Sequence, residues 1–240
     1  MKKNVRQYSG KDTLEVLSWA ENYNKWIASQ FFPQIHGKKV LDIGAGVGTI
    51  SKLLSSYALS YDITDIDPEL YLPAKLKNGK NSRIRYFFLD IEKNIPKHLE
   101  HTYDIIITVN VLEHIEHDTI ALKNMRRLLK KNGKLLILVP AKKFAYTGLD
   151  RKLGHFRRYE KDELENRISD AGLYLQNIYY FNCIGLVTWI IRNIFERDST
   201  QLKPYQIRFF ENLVPILSKI ESVIHPPVGI SLIAIARCKS

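Results

Sequence analysis

Residues 39–50 read Lys-Val-Leu-Asp-Ile-Gly-Ala-Gly-Val-Gly-Thr-Ile, and they constrain the fold more than any other segment. A short apolar strand (Val40, Leu41, Ile43) runs into glycines at alternate positions, Gly44, Gly46 and Gly48. An amphipathic helix follows with Ile50, Leu53 and Leu54. Glycines at this spacing let the backbone turn with positive φ, and they leave no Cβ between a ligand and the main chain. Strand, glycine turn and helix is how open α/β sheets hold nucleotide-like ligands at the carboxyl ends of their strands. A dinucleotide site wants Gly-x-Gly-x-x-Gly, with pyrophosphate on the helix N-terminus. Here the third glycine comes one residue early. Asp42, just before the loop, suits an ammonium better than a phosphate.

Three further strand ends carry polar signals. A second strand over 59–64 ends in Asp65-Ile66-Asp67-Pro68-Glu69. A carboxylate there, about twenty residues past the loop, can grip a ribose diol. Asp65 and Asp67 compete for that role; Asp67 also reads as the N-cap of a helix starting at Pro68. A third strand, Ile84–Leu89, ends in Asp90-Ile91, where an exposed loop acid is the simpler alternative. A fourth, Tyr103–Val109, ends in Asn110-Val111-Leu112-Glu113-His114-Ile115. A fifth, Lys134–Val139, follows Lys131-Asn132-Gly133, read as a helix-ending turn with glycine left-handed.

Taken in order, these motifs resemble those of the class I S-adenosylmethionine-dependent methyltransferases, strongly over 38–140 and moderately to 182. The resemblance implies a Rossmann-like, doubly wound α/β fold. Its seven-stranded sheet would be mostly parallel, with an antiparallel last strand beside strand five and helices on both faces. It also implies S-adenosyl-L-methionine as cofactor and S-adenosyl-L-homocysteine as product. By the family pattern, Asp42, Gly44, Ala45, Gly46 and Gly48 meet the methionine end, and Asp65 and Ile66 the ribose. Asp90 and Ile91 meet the adenine, while Asn110 and Val111 lie on the far side beside the sulfonium.

Beyond strand five, the run Gly154-His-Phe-Arg-Arg-Tyr159 resembles a bacterial subgroup of the same family with a Gly-His-x-Arg-Arg-Tyr segment. His155 is the candidate general base, because a neutral imidazole accepts a proton near neutral pH. Tyr159 joins it as a candidate catalytic residue. Arg157 and Arg158 could fork onto a phosphate or carboxylate, and Tyr146 could contact the acceptor. The alternative is that His155 bonds its own loop and an arginine pairs with Asp150 or Glu160. His114 is expected to position the acceptor. His114 and His117, three apart, would share a helix face, but methyl transfer of this kind calls for no metal unless the acceptor is a catechol-like diol.

The chain carries a formal charge of +11. Residues 121–160 alone hold twelve Lys and Arg against two acids. Those on the helix from Arg126 to Lys131 complement a helix dipole. Those in the loop after strand five point to an anionic acceptor or an anionic membrane surface. No nucleic-acid-binding module accompanies the charge, so nucleic acid is not expected as a partner.

One methyltransferase domain is expected over 1–240. It comprises an N-terminal lid helix (1–37), a cofactor-binding core (38–182), a helical cap (183–225) and a last strand (226–240). Within the lid, a helix Thr13–Phe32 places Trp19, Tyr23 and Trp26 on one face. Tyr23 and Trp26 are candidates to face the methionine end or the acceptor. Cys183–Ile191 is nearly all apolar but too short to span a bilayer, which takes about twenty residues. It reads as a cap helix, a dimer face or an interfacial membrane helix. Two distant cysteines and no apolar leader point to a reducing, cytoplasmic setting with peripheral membrane contact as an option.

The reaction class expected is methyl transfer to a small-molecule or lipid- or glycan-linked acceptor by in-line displacement. A non-catalytic cofactor-binding protein and a nicotinamide-dependent reductase are the alternatives; the latter lacks its glycine pattern.

Overall fold

The computed structural model describes residues 20–67, 69–70, 83–195, 204–224 and 226–239. Trp19, Pro68 and the expected helical turns over 13–19 lie outside them. Seven strands form one sheet: β1 (Lys39–Ile43), β2 (Ser60–Asp65), β3 (Ile84–Phe88), β4 (Tyr103–Val109), β5 (Leu129–Pro140), β6 (Leu173–Phe181) and β7 (Ser231–Cys238). Their order is β3-β2-β1-β4-β5-β7-β6. Strands β1 to β5 pair in parallel, and β7 lies antiparallel between β5 and β6, as the family resemblance implied.

Both faces of this sheet are buried, which is why its central strands read as unbroken apolar runs. Ile106, Leu135, Ile137 and Val139 face α4 (Asp118–Leu128) and α6 (Lys161–Asp170). Their neighbours Ile105, Ile107, Leu136 and Leu138 face the other side, toward α1 (Glu21–Ser29), α3 (Thr49–Leu54) and α8 (Pro204–Ile224). The short helices α2 (Phe32–Ile35) and α5 (Gly148–Leu153), together with α7 (Cys183–Phe195), complete the described elements.

Three local expectations change. The first helix stops at Ser29, and Pro33 opens the separate α2. Proline has no N–H to continue a helix but fits a first turn. Strand β5 begins at Leu129, before the supposed turn, with a register irregularity against β4. Asn132 takes the left-handed conformation (φ 65°), not Gly133. A Cβ at Gly133 would lie 3.0 Å from the Lys130 carbonyl oxygen and 3.1 Å from that of Tyr103. Finally, His114 lies on a single 3-10 turn, Leu112–His114, and α4 starts only at Asp118. His114 and His117 therefore do not share an α-helical face.

Helix α8 ties the outer elements down through two acids. Glu211 accepts from the backbone N–H of Asn22 (2.8 Å) and Tyr23 (2.9 Å) in the first turn of α1. Glu221 accepts from Asn182 (2.5 Å) and Cys183 (2.9 Å) at the start of α7. Each satisfies helix-start donors that would otherwise lack partners. Among the described residues, no helix is long and apolar enough to cross a membrane.

Candidate active site

The strand order reverses between β1 and β4, the point where open α/β sheets form their ligand crevice. The chain turns sharply as it leaves the strands there. Gly44 (φ 68°), Asn110 (φ 53°), Lys142 (φ 68°) and Asn182 (φ 61°) all adopt the left-handed region just past β1, β4, β5 and β6.

Gly44 and Ala45 donate to the Thr64 carbonyl at 2.9 and 3.0 Å, pinning the glycine loop to β2. Gly46 (φ 55°) donates to Asp65 Oδ2 at 2.8 Å, and the Asp67 N–H donates to Oδ1 at the same distance. The Asp65 carboxylate thus lies against the loop, at the end of β2. Burial raises its pKa against the pull of the two amides. An ionised carboxylate has about four acceptor sites, so each oxygen can take a further donor. Asp67 caps the turn after it, accepting from the Glu69 N–H at 3.0 Å, as read from the sequence. Gly48 (φ 76°) caps α3, and Ile66 is exposed beside Asp65.

Asp42 lies beneath the loop. Its Oδ2 accepts from Ser51 Oγ (2.6 Å) and Tyr61 OH (2.9 Å). Burial raises its pKa to about 6, opposed by those two donors and reinforced by Asp65. Asp90 is partly covered, with the Glu92 N–H (3.1 Å) and the Lys93 ammonium (2.8 Å) on its oxygens. Ile91 is buried in the core rather than standing exposed, and its carbonyl accepts from Asn124 at 2.8 Å. Asn110 is exposed and Val111 half-buried. A Cβ on Gly44 would lie 2.5 Å from Val111 Cγ2, so the loop after β4 leans on the bare glycine backbone.

The loop after β5 follows the alternative reading, in which His155 bonds its own loop and an arginine pairs with Asp150. Arg158 is 5% exposed and forks onto Asp150, with Nε to Oδ1 at 2.9 Å and Nη2 to Oδ2 at 3.1 Å. Its guanidinium also stacks over Trp189 of α7, 4.9 Å from the ring centre. Arg157 bonds the Glu116 carbonyl (2.8 Å) and Asp118 (2.9 Å). Both arginines are spent inside the protein, so neither reaches out as an anion grip. Tyr159 is fully buried, its hydroxyl donating to Asp118 at 2.7 Å. Burial and that carboxylate push its phenol up, so the hydroxyl stays protonated and bonded to Asp118. Tyr146 donates to the His155 carbonyl at 2.7 Å and so holds the loop.

His155 is held within this loop. Its Nδ1 lies 2.9 Å from Asp150 Oδ1. Burial disfavours the ionised Asp150, but His155, Arg158 and the Thr147 N–H outweigh it and bring its pKa down to about 2. An ionised carboxylate only accepts, so Nδ1 is the donor in this contact. The ring of His114 meets that of His155 edge-on, centroids 4.5 Å apart. Burial and the nearby His155 depress His114 to about 3, against a hydrogen bond to the Gly154 backbone. Two residues escaped sequence reasoning. Asp150 figured only as an arginine partner, and Glu113 was a motif letter without a role. Burial, which gives both their importance, is invisible in a one-dimensional pattern.

The N-terminal aromatics also move. Tyr23 and Trp26 pack with Phe181, at ring centroids 6.3 and 4.4 Å away, and Tyr23 meets Phe210 of α8 at 5.8 Å. They join α1 to α8 and the end of β6, Trp26 buried and Tyr23 half-buried.

The sheet order, the glycine turn at its switch point and the acids at the ends of β1, β2 and β3 define a nucleoside-binding α/β protein of the methyltransferase type. The family model "Methyltransferase domain" matches residues 17–178, and the chain belongs to that family. It is a class I S-adenosylmethionine-dependent methyltransferase. The chain is 32% identical over 138 residues to the highly reducing polyketide synthase easB of Emericella nidulans, covering 48% of this chain and 5% of that protein. It therefore spans only a small fraction of the curated relatives it matches. Among solved structures, an S-adenosylmethionine-dependent methyltransferase from Mesorhizobium loti superposes with TM-score 0.59 at 15% identity, covering 88% of this chain and 95% of that one. Phosphoethanolamine N-methyltransferase 2 of Haemonchus contortus, in complex with S-adenosyl-L-methionine, gives 0.62 at 16%, covering 91% and 53%.

Proposed function

We propose that this methyltransferase acts on a hydrophobic or lipid-linked acceptor carrying an ionisable group, and that His155 meets the acceptor's departing proton. S-Adenosyl-L-methionine, when bound, supplies an electrophilic methyl group on a sulfonium. The cradle fits it: Gly44 admits no Cβ, and Asp65 lies along the loop with acceptor capacity to spare. Asp65 would hold the ribose and Asp90 the adenine end, with Asp42 toward the methionyl ammonium and Val111 on the far side. Orientation of this kind can account for about 7–11 kcal/mol of barrier.

The observation that carries the catalytic role is the Asp150–His155 contact at the carboxyl end of β5. Asp150 fixes the tautomer and stabilises positive charge on the ring, so Nε2 can accept a proton. A placed base adds about 10²–10⁴-fold where proton loss limits the rate.

The acceptor class rests on the surface beside this loop. Trp189 of α7 donates to the Ala145 carbonyl at 2.9 Å, which supports reading α7 as a cap on this loop. The outward residues Val187, Ile190 and Ile191 stay exposed. On α8, Phe209, Ile216, Ile220 and Val223 are exposed along one stripe. Arg151 and Lys152 of α5 are also exposed. Apolar residues flanked by cations suit a lipid-borne anionic acceptor and peripheral membrane contact. They replace Arg157 and Arg158 as the basis for an anionic acceptor.

The test is transfer of labelled methyl to cell extract, followed by phase partition. Label entering the organic phase, and falling at least tenfold in kcat with His155→Gln, supports the reading. Label confined to aqueous products, or indifference to His155→Gln, contradicts it.

A further inference from the structure

Glu113 presents a problem that the methyl-transfer reading leaves unsolved. The side chain is fully buried, and neither carboxylate oxygen has a hydrogen-bond partner among the described residues. Burying a carboxyl group with both oxygens unmet costs several kcal/mol unless something else satisfies them. Only its backbone is spoken for, the carbonyl accepting from the Phe156 N–H at 2.7 Å.

Two imidazoles stand beside that carboxylate. One ligand atom each from Glu113, His114 and His155 can be chosen so that all three lie within 4.8 Å of one another. They come from two different loops, the 3-10 turn after β4 and the segment after α5. His155 is fixed from behind by Asp150, and His114 by the Gly154 backbone. Metal-binding histidines are held in this way, one ring nitrogen anchored on a carboxylate or carbonyl and the other aimed at the ion. The sequence pairing of His114 with His117 does not survive: His117 is exposed, and His155 takes its place.

We propose that Glu113, His114 and His155 form a site for one divalent transition-metal ion of the zinc class. Two neutral imidazoles and one carboxylate are a donor set for Zn²⁺, Co²⁺, Mn²⁺ or Fe²⁺, and the two nitrogens argue against Mg²⁺ or Ca²⁺. Three protein donors leave coordination positions open, and those suit an oxygen of the acceptor. Glu113 follows Val111 by two residues, and Val111 leans on Gly44, so the ion site adjoins the cofactor cradle. An ion held there would polarise an acceptor oxygen, whose proton would pass to solvent, and His155 would then serve as a ligand of the ion in place of its role as the base. Ion binding itself stands apart from methyl transfer and needs no cofactor.

The full chain, freed of metal with a chelator, is titrated with Co²⁺ and followed by its visible ligand-field absorption. One Co²⁺ per chain, displaced by Zn²⁺, is expected. Losing even a residue that only orients a ligand typically costs about 10–100-fold in metal affinity. Glu113→Gln and His155→Asn should therefore each weaken binding at least about 100-fold. His117→Ala should leave it unchanged. Circular dichroism checks folding, and either ligand variant suffices if the other fails to fold. Calorimetry with S-adenosylhomocysteine on the same samples reports the cofactor cradle separately. Absence of a Co²⁺ signal in the folded wild-type chain, as a proton shared between Glu113 and His155 would give, overturns the proposal. Binding that survives both ligand variants overturns it too.

Discussion

Arg158 and Asp150 form a buried fork, two parallel hydrogen bonds of 2.9 and 3.1 Å, at the base of the loop that presents His155. Asp150 serves both sides of this relationship. It neutralises the guanidinium and orients the imidazole with the same oxygen, Oδ1. Breaking a buried pair by removing one partner strands the other charge, at a cost of about 3–5 kcal/mol. Arg158→Ala should therefore lower the unfolding free energy by that order, measured by urea denaturation. Arg157→Ala, more exposed, should cost clearly less. Equal, small effects would show that the fork contributes no stability.

Gly44 and Val111 bring the loops after β1 and β4 into contact. Gly44→Ala meets both the Val111 methyl groups and a φ of 68°, which costs a non-glycine residue about 1–2 kcal/mol. Calorimetry with S-adenosylhomocysteine should show at least about a tenfold loss of affinity, given 1.4 kcal/mol per factor of ten. Val111→Ala added to Gly44→Ala should recover part of it, because the collision goes while the strained φ stays. No recovery would mean that the two loops are not in contact.

Asp42 makes stability depend on pH in an uncommon direction. Its folded-state pKa, about 6, exceeds the ordinary 3.8. The folded state therefore holds more protons than the unfolded state between those values, and stability falls as pH rises from about 4 through about 6. Two pKa units correspond to roughly 3 kcal/mol at neutral pH. Cofactor-free Asp42→Asn should melt higher than wild type at pH 7, with the difference vanishing toward pH 4. Parallel wild-type and variant melting curves across that range would refute it.

Asp65 should lose its grip on a ribose when its charge goes. Hydrogen bonds to a charged group contribute about 1.5–3 kcal/mol each. Asp65→Asn should then weaken S-adenosylhomocysteine by about 10–100-fold, with one loop amide, Gly46 or Asp67, left without an oxygen. Unchanged affinity would move the ribose contact elsewhere.

Glu221 joins α8 to α7. With Glu221→Ala, the Asn182 and Cys183 N–H groups lose a shared partner, and helix caps contribute about 0.5–2 kcal/mol. A drop in melting temperature is expected with cofactor affinity unaltered. A loss of cofactor affinity instead would tie the cap to the cradle.

The sequence by itself determined the sheet and the crevice. The reading Tyr103–Val109 is the observed β4 residue for residue, and the reading Ile84–Leu89 runs one residue past the observed β3. The Gly44–Gly48 turn, Asp65 and the Asp67 cap follow from φ, charge and hydrogen bonds between near neighbours, which local pattern encodes. What only the tertiary structure decided is which side chains are spent. Arg157, Arg158, Tyr146 and Tyr159 read as tools for an acceptor, yet Asp118, Asp150 and four backbone carbonyls claim them. Tyr23 and Trp26 went to the core, and Glu113 came to face His155 from 42 positions away in sequence. A charged or aromatic residue has the same letter whether paired inside or free at a crevice. Its fate depends on burial and on partners brought in by chain crossings, and those exist only once the sheet has formed.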